Sequence, residues 1–324
     1  MLLHMEQASR PDREWTRRSF LAATFAGLTA SAAGGPAAAG EAGGGAPPAR
    51  KMTIDLDLGS IGHGGNLRDA VDLADRHGFG SVTVSVGEIE RLRREELEGI
   101  LADMKAKGIA LGSAGLPVEV GGDEKGFEDG LTRLPGRAAA LERAGVGRIF
   151  TWISPASRSR TYIQNFRLHA TRLARVAGIL EPRGIRLGLE YVAPKTSWSG
   201  SRFPFIHSMA EMKDLIAEIR RPSVGMVLDS WHWYTGRETE ADLLSLRGQD
   251  VVVVHLNDAL TGKEIDEQVD GHRDLPCATG VIDVGTFLSA LNRIGYDGPV
   301  YAEPFLGDLG KMPREEAEIG RAHV

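Results

Sequence analysis

The chain has 324 residues, 42% of them hydrophobic and 25% charged, with 38 Lys and Arg against 44 Asp and Glu for a formal charge of −6. These are globular proportions, so a wholly disordered chain and collagen-like repeats are excluded. The acidic balance and the lack of a long basic run exclude a surface built to neutralise many phosphates, and nucleic acid is not an expected partner. A single cysteine, Cys277, permits neither an intrachain disulfide nor a multi-thiolate zinc site. Any metal must therefore rest on His, Asp and Glu.

Thr16-Arg17-Arg18-Ser19-Phe20-Leu21 precedes a mild apolar stretch from Phe20 to about Ala33, and Ala37-Ala38-Ala39 follows. This order of basic, apolar and small residues resembles a twin-arginine export signal. On that resemblance, residues 1–39 are a signal peptide read by the twin-arginine export machinery, residues 40–50 a flexible linker and residues 51–324 the folded domain. Residues 23–49 are almost entirely Ala, Gly, Ser, Thr and Pro. They bury too little apolar surface to offset the entropy of ordering, so a disordered export segment is expected ahead of the domain. The apolar stretch is shorter than the roughly 20 residues that span a bilayer, and stable membrane insertion is not expected. Cleavage after Ala39 leaves 34 basic and 41 acidic residues, a charge of −7. The implied location is periplasmic or otherwise extracytoplasmic.

From Lys51 onward, short β-branched apolar runs alternate with longer amphipathic stretches, the pattern of βα units around a parallel sheet. The strand candidates are Met52–Asp57, Ser81–Val86, Ile109–Ser113, Arg148–Ile153, Arg186–Tyr191, Ser223–Asp229, Asp250–Asn257 and Pro299–Pro304. Helical spacing of apolar residues predicts helices over Leu67–His77, Ile89–Lys107, Phe127–Ala144, Tyr162–Pro182, Ser208–Ile219, Glu240–Leu246 and Val284–Ile294. Gly78, Gly108, Gly184 and Gly295 stand where a left-handed residue ends a helix. Eight such units match an α/β fold of the (β/α)8 TIM-barrel type, whose usual length is about 250 residues. An open doubly wound sheet is the alternative. It is disfavoured because Gly62-His63-Gly64-Gly65, after the first strand, lacks the Gly-x-Gly-x-x-Gly spacing.

In such a barrel, reactive side chains lie at the carboxyl ends of the strands, where the βα loops converge. Four consecutive strand candidates end in residues able to bind a metal: Glu190, Asp229, His255 and Glu303. One of these alone reads as a solvated loop-edge charge. Four converging beside apolar runs need a counter-charge, because burying them unpaired is costly. One divalent cation supplies it, and three carboxylates with one imidazole suit Mn²⁺, Co²⁺, Zn²⁺ or Mg²⁺. His232 stands just past Asp229, and Asp258 three residues beyond His255, where it is placed to orient the site.

Leu187-Gly188-Leu189-Glu190-Tyr191, Leu228-Asp229-Ser230-Trp231-His232, Val254-His255-Leu256-Asn257-Asp258, Ala278-Thr279-Gly280-Val281-Ile282-Asp283 and Tyr301-Ala302-Glu303-Pro304 follow one another in a recognisable order. In this the chain resembles the xylose-isomerase-like TIM-barrel superfamily, most closely its sugar phosphate isomerase/epimerase branch. The resemblance covers roughly residues 52–310, with its distinctive motifs after about 185. It implies a metal on Glu190, Asp229, His255 and Glu303, substrate oxygens contacted by His232 and Arg273, and the two glutamates as an acid/base pair. The chemistry is consistent: a cation polarising a sugar carbonyl lowers the barrier to removing the adjacent proton, which a carboxylate on either face can exchange.

Other residues carry less. Trp152, with Trp231 and Trp233, is placed to form an apolar wall against a sugar ring, with core packing as the equal alternative. His63, in the glycine-rich loop after the first strand, and Lys195, after the fifth, are candidate substrate contacts. His77, His169 and His207 read as structural, and no base pairs with Cys277 to make it a nucleophile. A lyase acting on oxidised glycosides uses the same enolate chemistry and is the main alternative function. An apurinic-site endonuclease shares the barrel, and Asp270-Gly271-His272 would extend its metal cluster, but Val84-Ser85-Val86-Gly87 and Gly112-Ser113-Ala114-Gly115 lack the histidines that it needs. A sugar-binding protein without catalysis would not need two opposed glutamates. The expected ligand is a small sugar or sugar derivative, chosen by loops such as 198–205 and 261–273. A homo-oligomer is left open.

Overall fold

Short apolar runs in this chain are flanked on both sides by amphipathic helices, so a parallel sheet covered on one face by helices and closed on itself is the arrangement that buries them. The computed structural model describes residues 52–306 and 309–311. The expected signal peptide and linker lie outside the described residues. The described strands are, in chain order, β1 (Thr53–Leu56), β2 (Ser81–Val84), β3 (Ala110–Gly115), β4 (Arg148–Trp152), β5 (Ala156–Ser157), β6 (Arg186–Glu190), β7 (Phe203–Pro204), β8 (Val224–Asp229), β9 (Val251–Leu256) and β10 (Pro299–Ala302). Eight of them close a parallel barrel in the order β1-β10-β9-β8-β6-β4-β3-β2. Each of the eight predicted strands is present, with its ends within two residues of the expected ones. The fold is a TIM barrel.

The helices follow the predicted stripes, with one correction. The single helix expected over Ile89–Lys107 is two, Val86–Arg91 and Arg94–Lys107, with Leu92 and Arg93 extended between them. Glu95 and Glu96 occupy the first turn of the second helix, where carboxylates favour the exposed N–H groups of a new N-terminus. Gly78, Gly108, Gly184 and Gly295 all have φ between 70° and 80°, as the helix stops require. No helix among the described residues is long and apolar enough to cross a membrane.

Counting back two residues along each strand shows what closes the barrel beneath its mouth. Gly188 lies behind Glu190, Val227 behind Asp229 and Val253 behind His255, all on the same face. Val227, Val252, Val253 and Tyr301 pack with Phe150 as a small apolar cluster separate from the core under the helices. Gly188 is required here: a Cβ at that position would come within 3.0 Å of Val227 Cγ2 and 3.1 Å of Val252 Cβ. The plug forms a dry floor for polar groups one layer above.

Outside the barrel, β5 and β7 form a two-stranded antiparallel ribbon. It ties the loop after β4 to the 198–205 loop, and Phe205 N–H donates to the Pro155 carbonyl at 2.6 Å. Sequence periodicity does not signal two-residue strands.

Candidate metal centre and active site

Glu190 and Asp229 are the last residues of β6 and β8, His255 is the penultimate residue of β9, and Glu303 follows β10 directly. The register pairs Asp229 with His255, and Tyr301, two residues before Glu303, also with His255. Paired residues on parallel strands point to the same face, so the sheet itself gathers the four side chains at the mouth. Their donor atoms lie within 4.8 Å of one another. One ion with ligand bonds of roughly 2.0–2.4 Å can reach donors so spaced. The donor set, three carboxylates and an imidazole, fits a divalent cation.

His255 is fully buried, with Nδ1 3.1 Å from Glu190 Oε1, 3.5 Å from Glu303 Oε2 and 4.0 Å from Asp229 Oδ2. Its ring lies against Tyr301 and Phe150, at centroid distances of 4.4 and 5.5 Å. Asp229 caps the short helix Ser230–Thr235: its Oδ1 accepts from Trp231 N–H at 2.7 Å and from Asn257 Nδ2 at 2.9 Å. Arg273, 2% exposed, donates through Nη1 to Asp229 Oδ2 at 2.6 Å and to Glu303 Oε2 at 3.0 Å. His232 Nε2 lies 3.8 Å from Glu190 Oε1 and 3.4 Å from Arg273 Nη2. Its Nδ1 accepts from Ala193 N–H at 3.4 Å, so the neutral ring carries its proton on Nε2, which faces the mouth and gives Arg273 Nη2 no acceptor.

The two glutamates differ in setting. Burial pushes the Glu190 carboxyl up to about 7, against the pull of His255. Burial also acts on Glu303, but His255 and Arg273 outweigh it and hold that carboxyl below its ordinary value. For His255, burial is outweighed by the two glutamates, and its pKa lies well above that of a free imidazole. Burial drives His232 down to about 3, so it is neutral at physiological pH. One ionised and one protonatable carboxylate on either side of a shared nitrogen can trade protons at neutral pH.

The remaining sequence candidates separate. Trp152 is 60% exposed at the end of β4, paired in register with Glu190, and so stands at the mouth. Trp231 and Trp233 do not join it in a wall: they are 0% and 7% exposed, within the core. Asp258, fully buried, spends both oxygens on backbone N–H groups, those of Ala259 and Ile282 at Oδ1 and those of Thr279 and Gly280 at Oδ2. It therefore fixes the 278–282 loop and offers nothing to a substrate. The Lys195 ammonium is paired with Asp266 at 2.8 Å. His63 is half-buried in the loop after β1, its Nε2 without a hydrogen bond. Asp270 Oδ1 is held by Arg273 Nη2 at 2.8 Å, which makes it an anchor of the arginine, and it is not among the four donors gathered at the mouth.

Sequence reasoning placed β1 but missed the acidic residues it carries into the barrel. Thr-Ile-Asp-Leu-Asp-Leu over residues 53–58 places Asp55 and Asp57 on one face by simple alternation, a signal that was available. Asp55 is 2% exposed inside the barrel, accepts from Thr83 Oγ1 at 2.6 Å and is pushed by burial up to about 7. Asp57 is also raised, by burial first and by repulsion from Glu303 among lesser causes.

A family model described as the xylose isomerase-like TIM barrel matches residues 71–323. The chain is 24% identical over 259 residues to an inosose isomerase of Bacillus velezensis, covering 78% of this chain and 88% of that one. It is 36% identical over 102 residues to a ketose 3-epimerase of Arthrobacter globiformis, covering 30% and 31% of the two chains. Among solved structures, a xylose isomerase domain protein of Alicyclobacillus acidocaldarius superposes with a TM-score of 0.70 at 31% identity, covering 84% of this chain and all of that one.

Proposed function

The chain belongs to the xylose isomerase-like TIM-barrel family, and from that premise we propose that it is a divalent-metal-dependent sugar isomerase or epimerase that moves a proton between Glu190 and Glu303. The observation that carries this reading is the approach of both glutamates to one nitrogen, His255 Nδ1, from strands β6 and β10 at 3.1 and 3.5 Å. The inosose isomerase and ketose 3-epimerase to which the chain is similar support an α-hydroxyketone as substrate class, in an open-chain ketose or a cyclic keto-polyol.

Glu190, Asp229, His255 and Glu303 would hold the ion, which when bound supplies Lewis-acid polarisation of the substrate carbonyl. Glu303, the ionised member of the pair, removes the proton from the carbon beside the carbonyl, and the electron pair left behind forms an enediolate. Glu190 returns a proton from the other side. Return to the same carbon inverts it, and return to the former carbonyl carbon, with the hydroxyl proton passing to the former carbonyl oxygen, exchanges carbonyl and hydroxyl. His232, neutral, donates from Nε2 toward a substrate oxygen, and Arg273 adds positive charge where the enediolate develops. Trp152, at the mouth beside Glu190, offers a face for the apolar side of a sugar ring.

Deuterium wash-in tests the reading. Metal-loaded protein in heavy water should exchange the α-proton of at least one member of a panel of ketoses and keto-polyols. Glu303→Gln should abolish the exchange while its circular dichroism stays that of the wild type. Absence of exchange across the whole panel overturns the proposal.

Residues 1–39 are read as a twin-arginine signal that delivers the enzyme outside the cytoplasm already folded. Replacing Arg17 and Arg18 together by Lys should retain the protein in the cytoplasmic fraction. Unchanged distribution refutes export by this route.

A further inference from the structure

Arg273 reaches the four-donor cluster from the loop after β9, and every nitrogen of its guanidinium is engaged. Nη1 bridges Asp229 Oδ2 and Glu303 Oε2, Nη2 meets Asp270 Oδ1 at 2.8 Å, and Nε donates to the Asp270 carbonyl at 3.0 Å. The planar group lies over two rings, with its central carbon 4.5 Å from the centroid of Phe305 and 5.5 Å from that of Trp231. A positive charge buried this deeply is retained only where it is paired on several sides. The two oxygens bridged by Nη1 are the same two that face His255 Nδ1 at 4.0 and 3.5 Å. They belong to two of the four donors available to an ion.

We propose that Arg273 is a built-in counter-cation of the metal centre: it neutralises Asp229 and Glu303 in the metal-free chain and competes with the divalent ion for their oxygens. The inference rests on the metal-dependent reading above and extends it from catalysis to metal loading. Without Arg273, Asp229 and Glu303 would each lose a buried ion pair, leaving His255 to face three carboxylates in a dry mouth, and their mutual repulsion would rise. Arg273 removes that penalty and keeps the donors gathered, at the cost of weaker metal binding. Asp270 is the positioning residue, since it takes the second guanidinium nitrogen and aims the first at the donors. A contact made only to substrate would leave metal affinity unchanged when removed. A counter-cation would not.

The test is calorimetric titration of metal-stripped, full-length protein with Mn²⁺ at pH 7.5, with thermal unfolding of both metal-free and metal-loaded forms. Arg273→Met should bind Mn²⁺ more tightly, on the order of tenfold, because both competition and repulsion are lost. Its metal-free form should melt below the wild type, and Mn²⁺ should raise its melting temperature by more than it raises that of the wild type. Arg273→Gln, which removes the charge but keeps a donor for the two carboxylates, should shift affinity in the same direction by less. That variant also carries the test if Arg273→Met does not fold. Folding of Arg273→Met only when Mn²⁺ is present supports the proposal as well. Equal or weaker Mn²⁺ binding in both variants overturns the counter-cation role while leaving the metal enzyme intact. If the wild type itself takes up no Mn²⁺, Co²⁺ or Zn²⁺, the metal-dependent reading falls first.

Discussion

Asn257 holds Asp229 from behind: its side-chain amide donates to Oδ1 at 2.9 Å, while Oδ2 is left to Arg273 and to the cluster. Both residues are buried, and Asn257 is fixed in turn by its own backbone, whose N–H donates to Ser230 Oγ at 2.9 Å. A carboxylate oriented in this way presents one oxygen without rotational search. Partners that orient metal ligands typically contribute 10–100-fold to affinity. Asn257→Ala should therefore weaken Mn²⁺ binding by about that factor in calorimetric titration. An affinity within about twofold of the wild type would remove Asn257 from ligand orientation.

Inside the barrel, Gly112 and Asp55 are matched by volume. A Cβ at residue 112 would lie 2.0 Å from Asp55 Oδ1 and 2.8 Å from its Cγ, inside van der Waals contact. Asp55 cannot withdraw without giving up its bond to Thr83. Gly112→Ala should cost at least about 1–3 kcal/mol in urea unfolding, the range for overpacking. Gly115→Ala, on the same strand with no atom within 4 Å of the added methyl group, is the control and should change stability little.

The second half of the barrel is legible because β6 (after Arg186), β8 and β9 run apolar up to one ionisable residue at or next to the carboxyl end. Burial makes such an interruption conspicuous. β1 is less so: Asp55 and Asp57 alternate with Ile54, Leu56 and Leu58, which reads as an ordinary half-exposed strand until the barrel closes and turns that face inward. Asp258 was legible as a polar residue beside a ligand. Its work on four backbone N–H groups depends on how the 278–282 loop folds back, which local pattern does not encode. The break at Leu92 and Arg93 was hidden because Ile89, Leu97, Ile100 and Met104 keep one helical face across it. Arg273 was recognisable by resemblance as a substrate contact. Its bridging of two metal-competent carboxylates is a tertiary fact.

Asp55 also predicts a pH dependence. Its folded-state value of about 7 lies above the ordinary 3.8, so between those limits the folded chain keeps a proton that the unfolded chain has released. Its contribution is fully present below about pH 4 and is lost as pH rises through about 7. Three pH units correspond to up to about 4 kcal/mol. His169 and His232, held below the ordinary imidazole value by burial, slope the other way, so the effect is isolated by difference. Relative to Asp55→Asn, the metal-free wild type should lose stability between pH 4.5 and 7.5 in urea unfolding. A difference that stays constant across this range rules out a titrating Asp55.

Asp258 couples the strand that carries His255 to the loop that carries Arg273. Backbone N–H groups of Asp258 and Asp274 each donate to the other's carbonyl, at 3.0 and 2.8 Å, and the Asp258 carboxylate gathers Thr279, Gly280 and Ile282. Asp258→Ala leaves these donors without their acceptor, that of Ile282 in a buried setting and those of Thr279 and Gly280 nearer the surface. Each orphaned group costs about 1–3 kcal/mol if it stays dry, but water entering the loop relieves most of that, so a net loss of about 2–4 kcal/mol is expected. Amide hydrogen exchange at Thr279, Gly280 and Ile282 should accelerate, since their opening no longer breaks a charge-assisted bond. The metal donors sit at or beside the ends of four barrel strands and do not depend on this loop. Mn²⁺ affinity should stay within about threefold of the wild type, less than the loss expected for a residue that orients a ligand. Loss of metal binding together with slow exchange at the three amides would place Asp258 in the metal centre, and the loop-anchoring role would be wrong.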